Sequence, residues 1–236
     1  MVRVVSVLDG DTLAIDPPVR GLSRLRLAGI AAVKPPLGRP ADRPWPLAAQ
    51  AVATLANLTQ GATLRVEPTL RGADRYGRLL AQVYLADGRW LQGELLRAGL
   101  ARVETTADSR ALAVELLAAE AEARAAHRGL WSSPVYAIRS PMEVSDAIGG
   151  FAVVEGAVLE ARRIRNRIYL NFGADWRNDF TVTIDAANLP LFESAGLEPL
   201  ALAGRRVRVR GWVERNNGPA IGATHPEQIE VLGDAQ

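Results

Sequence analysis

The sequence predicts a mainly β protein of the α+β kind, made of two small β-barrels, with helices packed around the first. Three observations lead to this prediction. Short runs of alternating apolar and polar residues recur in both halves, helical patterns lie mostly in the first half, and a stretch rich in proline, glycine and small residues separates the halves. A chain of 236 residues, 48% of them hydrophobic, is long enough to bury two cores. We therefore expect a first domain at residues 1–133, a linker at 134–150 and a second domain at 151–236.

The first domain is predicted to begin with strands, with a turn at residues 9–11 between the first two. Pro46 opens the first helical pattern. An alanine-rich helix follows later, with Asp108 or Ser109 as its candidate N-cap and His127 near its end. The predicted strands are residues 2–8, 12–15, 24–30, 63–67 and 79–85, and the predicted helices are 47–58, 93–98 and the alanine-rich helix.

The second domain is predicted to contain five short strands and a helical or irregular insertion at 188–202. Its strand layout, with the segments VVEGAVLE (153–160) and GRRVRVRGWVERNNGPAIGATHPEQIEVL (204–232), resembles a bacterial OB-fold module of the anticodon-binding-like type. The predicted strands are residues 152–160, 168–172, 180–184, 206–213 and 229–232.

The basic residues are almost all arginine, since Lys34 is the single lysine among 28 basic residues. The net charge is only +2. The arginine excess is explained either by a GC-rich genome or by anion binding, because the guanidinium group matches phosphate with two parallel hydrogen bonds. Arginine content alone therefore leaves phosphate binding as one of two explanations.

The chain has no cysteine and two histidines, His127 and His225. Disulfides, thiolate catalysis and cysteine zinc sites are thereby excluded, and we expect structural roles for both histidines. No apolar run reaches the roughly 20 residues of a membrane span. For a bacterial chain of this kind we expect a periplasmic or secreted location if a leader has been removed, and a cytoplasmic one otherwise.

Three segments carry carboxylates and arginines in an order that suits phosphate chemistry: VLDGDTL (7–13), RLRLAGI (24–30) and DRYGRLLA (74–81). Hydrolysis of a phosphodiester needs an activated water and relief of negative charge at phosphorus, which a carboxylate-held cation, a carboxylate base and arginines supply. With LLRAGLARV (95–103) and GLW (129–131), these segments resemble the staphylococcal nuclease (thermonuclease) family over residues 2–133. The resemblance implies a five-stranded OB-type barrel with three helices and a calcium-dependent nuclease mechanism.

The resemblance assigns roles by position. Asp11 falls on a metal-ligand aspartate, and Asp9 on the acidic neighbour that supports the water shell of the metal. Arg26 and Arg78 fall on the two arginines that hold and polarise the scissile phosphate.

The sequence departs from the family pattern at the second metal ligand and at the general base. Where the family has Asp-x-Pro-Glu, a second metal carboxylate followed by the general base, this sequence has Ala31 and Lys34. A divalent cation left with Asp11, a backbone carbonyl and waters would bind weakly, because affinity follows the charge of the ligands. We expect no cofactor, or Ca²⁺ if the site still works in part. Lys34 with a lowered pKa, or Asp42, remains the alternative base.

The nucleotide pocket departs as well. Arg75 and Tyr76 match positions that contact the other phosphate of the nucleotide. The two tyrosines that the family carries shortly after LLRAGLARV are replaced by residues 104–107, ETTA, so a base loses its stacking surface. The retained arginines therefore either still bind phosphate or only tie loops to carboxylates such as Asp9 or Asp11.

In the second domain, alternation along residues 206–214 places arginines and an aromatic residue on one face, a combination that suits a nucleic-acid backbone with a stacked base. The alternative is a solvated face of arginines with the aromatics in the core. The candidate nucleic-acid-binding residues of this domain are Arg165, Arg167, Trp176, Arg206, Arg208, Arg210 and Trp212.

These observations favour a nuclease-fold protein that binds single-stranded DNA, RNA or a protein partner and has lost calcium-dependent hydrolysis. An active phosphodiesterase with a rearranged base and metal site is one alternative. A non-enzymatic scaffold for protein interactions is the other, because an OB fold does not determine function.

Overall fold

The chain forms two compact units in a computed structural model that describes residues 1–33, 47–175 and 177–233. The first unit is Met1–Tyr136 and the second is Ala137–Gln236, each with its own buried apolar cluster. The predicted fold class, mainly β with helices and two barrel-like domains, is confirmed. Within the three described ranges, no helix is both long and apolar enough to cross a lipid bilayer.

The first unit is a closed five-stranded barrel with helices around it. The barrel order is β1-β2-β3-β6-β5, where β3 and β6 are parallel, while β4 and β7 pair in a separate ribbon. The elements are β1 (Val2–Asp9), β2 (Thr12–Val19), β3 (Leu22–Leu27), β4 (Ile30–Ala32), α1 (Ala48–Thr59), β5 (Thr63–Ala73), β6 (Leu79–Leu85), α2 (Leu91–Arg97), β7 (Ala101–Val103) and α3 (Ala113–Ala125).

Two sequence predictions for this unit differ from the structure. The predicted strand at 24–30 is two strands, because the chain turns at Gly29 with φ +79° and passes from the barrel to the ribbon. Helix α3 begins at Ala113 and not near Ser109. Asp108 is no N-cap, because its carboxylate accepts hydrogen bonds from Arg71 (2.8 Å) and Thr106 (2.7 Å) instead.

The second unit is a curled seven-stranded sheet that forms half a barrel. Its order is β14-β12-β13-β11-β10-β9, with β8 also paired to β12, and β11 and β13 run parallel as β3 and β6 do in the first unit. The elements are β8 (Phe151–Ala157), β9 (Glu160–Ile164), β10 (Arg167–Asn171), β11 (Thr181–Asp185), α4 (Leu189–Ser194), β12 (Arg206–Asn216), β13 (Gly218–Gly222) and β14 (Ile229–Val231).

Strand β13 is absent from the sequence prediction because its residues, GPAIG, have a low strand propensity. Its pairing with both β11 and β12 places it in the sheet. Much of the stretch 134–150, where we expect a linker, belongs to the second unit: Val144 is buried in its core, and Arg139 hydrogen-bonds β8 through its backbone.

Candidate functional site

Asp11 and Arg26 meet at the start of the barrel. The β2–β3 register sets Thr12 opposite Arg26, and the fully buried Asp11 carboxylate forms an ion pair with the Arg26 guanidinium. The Thr12 hydroxyl donates to Asp11 Oδ1 (3.1 Å), and the Ala32 amide donates to Asp11 Oδ2 (2.8 Å). Both carboxylate oxygens are therefore engaged by groups of the protein itself.

The Arg26 guanidinium carries its charge in a nearly closed environment. Burial by itself lowers the pKa of Arg26, but the adjacent Asp11 carboxylate and the hydrogen bond to it raise that pKa above its ordinary value, with further help from Glu104 and Asp9. Its Nη2 atom also donates to the Ile30 carbonyl (3.0 Å). Arg26 thus links β3 to the start of β4 and remains cationic.

The turn before β2 is shaped by Asp9 and Gly10. Asp9 Oδ1 accepts a hydrogen bond from the Asp11 amide (2.9 Å), which holds the backbone of the turn. A β-carbon on Gly10 would come within 2.8 Å of the Ala32 side chain and 2.9 Å of Ala51, so only glycine fits between β4 and α1. Asp11 is fixed in place by this packing.

Within the described residues, the oxygen ligands available around Asp11 do not suit a calcium ion. Ala31 lies in β4 opposite Arg102 and presents a buried methyl group where the resemblance implies a carboxylate. Residues 1–33, 47–175 and 177–233 contain no group of three or more His, Cys, Asp or Glu side chains able to hold a metal ion. Ca²⁺ takes six to eight oxygen ligands, and one carboxylate already paired with an arginine falls short of that. Lys34 and Asp42 lie outside the described residues.

Arg78 is held by Asp74 at the other side of the site. Its Nε and Nη2 atoms lie 2.8 Å and 2.7 Å from Asp74 Oδ2. Partial burial by itself raises the pKa of Asp74, but hydrogen bonds from Arg78 and from the Tyr76 amide hold that pKa below its ordinary value. Arg78 Nη1 also donates to the Thr12 hydroxyl (3.4 Å). A chain of polar contacts therefore connects the two predicted phosphate arginines through Thr12 and Asp11.

An open cleft of about 290 Å³ lies beside these residues. Tyr76, 61% exposed, stands at its edge with the Arg75 guanidinium 4.9 Å from the ring centre and hydrogen-bonded to the phenol oxygen (2.9 Å). The cleft residues are Arg26, Leu27, Gly29, Ile30, Arg71, Asp74, Arg75, Tyr76, Leu80, Glu104, Thr106 and Ser109.

The sequence motifs do not single out Arg71, which the structure places in the cleft. It lies near the end of β5, four residues before Arg75, and this proximity in sequence was the available signal. Arg71 forms an ion pair with Asp108 (2.8 Å), and the same cleft is lined by Glu104 and Thr106, two of the four residues (104–107) that replace the segment with the two family tyrosines.

Comparison with known proteins agrees with this geometry. The family described as "Staphylococcal nuclease homologue" matches residues 24–133. Two curated proteins named "Uncharacterized endonuclease", from Escherichia coli O157:H7 and Escherichia coli, are each 36% identical over 132 residues, which is 55% of this chain and 76% of theirs. The chain belongs to the staphylococcal nuclease homologue family. The resemblance inferred from the motifs is thereby confirmed, and it ties the chain to a nuclease family that acts on nucleic acids.

In this member of the nuclease homologue family, the family match ends at residue 133, before the second unit. The predicted alternation on β12 is present, but its arginines already form ion pairs with glutamates of neighbouring strands. Arg206 and Arg208 pair with Glu155 of β8, and Arg208 and Arg210 pair with Glu230 of β14. Arg210 joins β12 to β14 and is only 1% exposed, so it does not face a ligand.

The other predicted nucleic-acid-binding residues of the second unit take no part in these ion pairs. Arg167 pairs with Asp185 of β11, and Arg165 stands exposed in the turn between β9 and β10 with φ +53°. Trp212 follows the arginines of β12 and is 56% exposed. Trp176 lies outside the described residues.

Proposed function

We propose that the first unit binds the phosphate backbone of nucleic acids without calcium-dependent hydrolysis. The observation that carries this proposal is the state of Asp11, whose carboxylate is fully buried and bonded to Arg26, Thr12 and Ala32. A divalent ion would have to displace the Arg26 cation and would find the methyl group of Ala31 beside it in place of a second carboxylate. Breaking a buried pair leaves an uncompensated charge, which costs about 3–5 kcal/mol.

The arginines of the cleft support backbone binding. Arg71 is about half exposed, and Arg75 is exposed and stacked on Tyr76, so both can turn toward a phosphate oxygen. Arginine is suited to this contact because its planar fork bonds two phosphate oxygens. The missing family tyrosines remove one base-stacking surface, and the cleft therefore recognises charge more than base identity.

The first test is binding and cleavage of single-stranded DNA and RNA in Ca²⁺ and in EDTA. We expect no metal-dependent cleavage, and an affinity that is the same in both buffers and falls with salt, because each phosphate contact releases counterions. Arg75→Ala should weaken binding, whereas Arg89→Ala, at an exposed arginine outside the cleft, serves as the matched control. Cleavage that requires Ca²⁺ and disappears in Arg78→Ala would overturn the proposal.

The second test restores the missing carboxylates. We expect the double variant Ala31→Asp/Lys34→Glu to gain calcium-dependent cleavage that the natural sequence lacks, because it supplies the second metal ligand and the base of the family. The neutral pair Ala31→Asn/Lys34→Gln has side chains of similar size and should stay inactive. Equal activity of both double variants would show that the carboxylates are not the missing parts.

A second candidate function is an active phosphodiesterase with a rearranged site. The observation in its favour is the name "Uncharacterized endonuclease" of the two relatives. Lys34 and Asp42 are then the candidate bases. Under this alternative, the natural sequence cleaves in the first test, and either Lys34→Ala or Asp42→Ala abolishes cleavage while leaving oligonucleotide binding intact.

A further inference from the structure

The outward-facing residues of four neighbouring strands in the second unit form one continuous row. The register pairs Arg162 of β9 with Tyr169 of β10, Tyr169 with Thr183 of β11, and Thr183 with Gly222 of β13. Directly paired residues project to the same face of a sheet. The residues before Tyr169 and after Thr183, Ile168 and Ile184, are buried, so this row lies on the outer face.

Strand β12 extends the row by an aromatic residue. Val213 of β12 pairs with Ile221 of β13, and both are buried. The next pair of opposed positions is Trp212 and Gly222. Both lie on the outer face, because successive residues of a strand alternate between the two faces of the sheet. We call Tyr169, Thr183, Gly222 and Trp212 the aromatic row.

The middle of the aromatic row is open. A β-carbon added to Gly222 would meet nothing closer than the Thr183 hydroxyl at 4.0 Å. Tyr169 and Trp212 therefore flank a shallow strip of the sheet surface whose base is formed by Thr183 and Gly222. Three strand spacings of about 4.8 Å separate the two aromatic residues, or roughly 14 Å, which leaves room for stacked bases between them.

Positive charge is concentrated at the Tyr169 end of the row. The β9–β10 hairpin carries four arginines within residues 162–167. Arg162 pairs with Glu160, and Arg167 pairs with Asp185. Arg163 is opposite the buried Ile168 and therefore projects away from the row, whereas Arg165 in the hairpin turn is exposed and, within the described parts of the chain, forms no ion pair. A ligand of the row is therefore expected to combine flat unsaturated rings with negative charge.

We propose that the aromatic row binds single-stranded nucleic acid, with bases stacked on Tyr169 and Trp212 and a phosphate at Arg165. Single strands fit because their bases are free to stack on side chains, whereas a duplex hides the faces of its bases. This inference rests on the proposed nucleic-acid function and adds to it a second site, on the second unit, with a stated preference for single strands.

The decisive variant fills the strip. In the full chain, Gly222→Leu places a side chain between Tyr169 and Trp212 without a backbone clash, and we expect at least about fivefold weaker binding of a labelled single-stranded oligonucleotide, measured by fluorescence anisotropy at low salt. Gly233→Leu, at a glycine that also has open space around it, is the matched control and should bind as the natural sequence does.

Two further tests do not depend on whether Gly222→Leu folds. Tyr169→Ala should weaken binding about five- to 150-fold, the range for loss of one base stack, while Tyr169→Phe keeps the ring and the affinity. Arg165→Ala should reduce the slope of log affinity against log salt by about 0.7 for the phosphate that the protein no longer neutralises. An excess of unlabelled duplex should displace the labelled single strand less effectively than the same excess of unlabelled single strand does.

The outcomes separate this inference from the proposed function. Unchanged affinity in Gly222→Leu and Tyr169→Ala, with natural circular dichroism and melting, overturns the aromatic row. If Arg75→Ala in the first unit still weakens binding in that case, the proposed function of the cleft stands. Competition by duplex as strong as by single strands would also overturn the single-strand preference.

Discussion

Asp11 illustrates how one carboxylate changes its role with its neighbours. Its two oxygens face an arginine, a hydroxyl and a backbone amide, and none of its surface is open to water. A buried charge of this kind is tolerated only when paired and fully hydrogen-bonded. The pair with Arg26 therefore stabilises the start of the barrel, and its loss should be costly.

Asp11→Asn should lower the free energy of unfolding of the first unit by about 3–5 kcal/mol, because it leaves the Arg26 guanidinium without its counter-charge. The same substitution at Asp87, whose pair with Arg89 is exposed to solvent, should change the stability very little. Urea denaturation followed by circular dichroism measures both. Equal effects at the two positions would contradict a structural role of the Asp11 pair.

Asp74 should titrate below the ordinary aspartate pKa of 3.8, because Arg78 and Tyr76 donate hydrogen bonds to its charged form. A lowered folded pKa means that the contribution of Asp74 to stability is fully present above 3.8 and is lost as the pH falls through the folded value. The carboxyl carbon resonance of Asp74, followed by NMR from about pH 6 to about pH 2, reports this midpoint. A midpoint at or above the ordinary value would contradict the observed hydrogen bonds.

At the scale of elements, a buried glutamate joins helix α3 to the ribbon. Glu120 has no exposed surface, accepts a hydrogen bond from the Val103 amide of β7 (2.6 Å) and pairs with Arg124 one turn later (2.7 Å). The same ribbon carries Ala31 in β4, so the position of α3 and the position of the site depend on one another.

Glu120→Ala should destabilise the first unit by about 3 kcal/mol or more, because a buried amide loses an acceptor and a buried pair is broken. Glu122→Ala on the same helix removes only a half-exposed pair with Arg97 and should cost less than about 1 kcal/mol. Both substitutions bring in the same residue in a helix, so helix propensity cancels in the comparison. Similar denaturation midpoints for the two variants would show that α3 is held by apolar packing alone.

At the scale of the whole molecule, the cations are arginines, 27 of the 28 basic residues, with Lys34 as the exception. Of the two histidines, His225 is buried, and His127 lies beyond the end of α3. Arginine stays protonated far above neutral pH, and histidine does not. Binding that depends on the arginines of either unit should therefore be insensitive to pH near neutrality.

Oligonucleotide affinity at constant ionic strength should stay within about twofold from about pH 6 to about pH 9. Fluorescence anisotropy across this range measures it. A rise in affinity below pH 7 would assign part of the binding to a histidine and contradict an arginine-only interface. His127→Gln would then identify which of the two histidines contributes.

The elements that depend on local pattern are the ones that the sequence predicts well. Strand β6 is predicted at 79–85 and lies at Leu79–Leu85, because its alternation is regular and every second residue is buried. The predicted N-cap of α3 is wrong because Arg71, far away in sequence, binds Asp108. Arg210, which the alternation predicts on an open face, is instead paired with Glu230. The reason is the same, because Glu230 lies on another strand.

The sequence by itself determined the fold class, the family and the chemistry of individual positions, above all the alanine at position 31 and the lysine at position 34. These follow from residue identity and from patterns that span a few neighbours. Only the tertiary structure decided that the Asp11 carboxylate belongs to Arg26, and that Tyr169, Thr183 and Gly222 line up across three strands. Such contacts join residues distant along the chain, and strand register and burial, which arise only when the whole sheet forms, determine which groups meet.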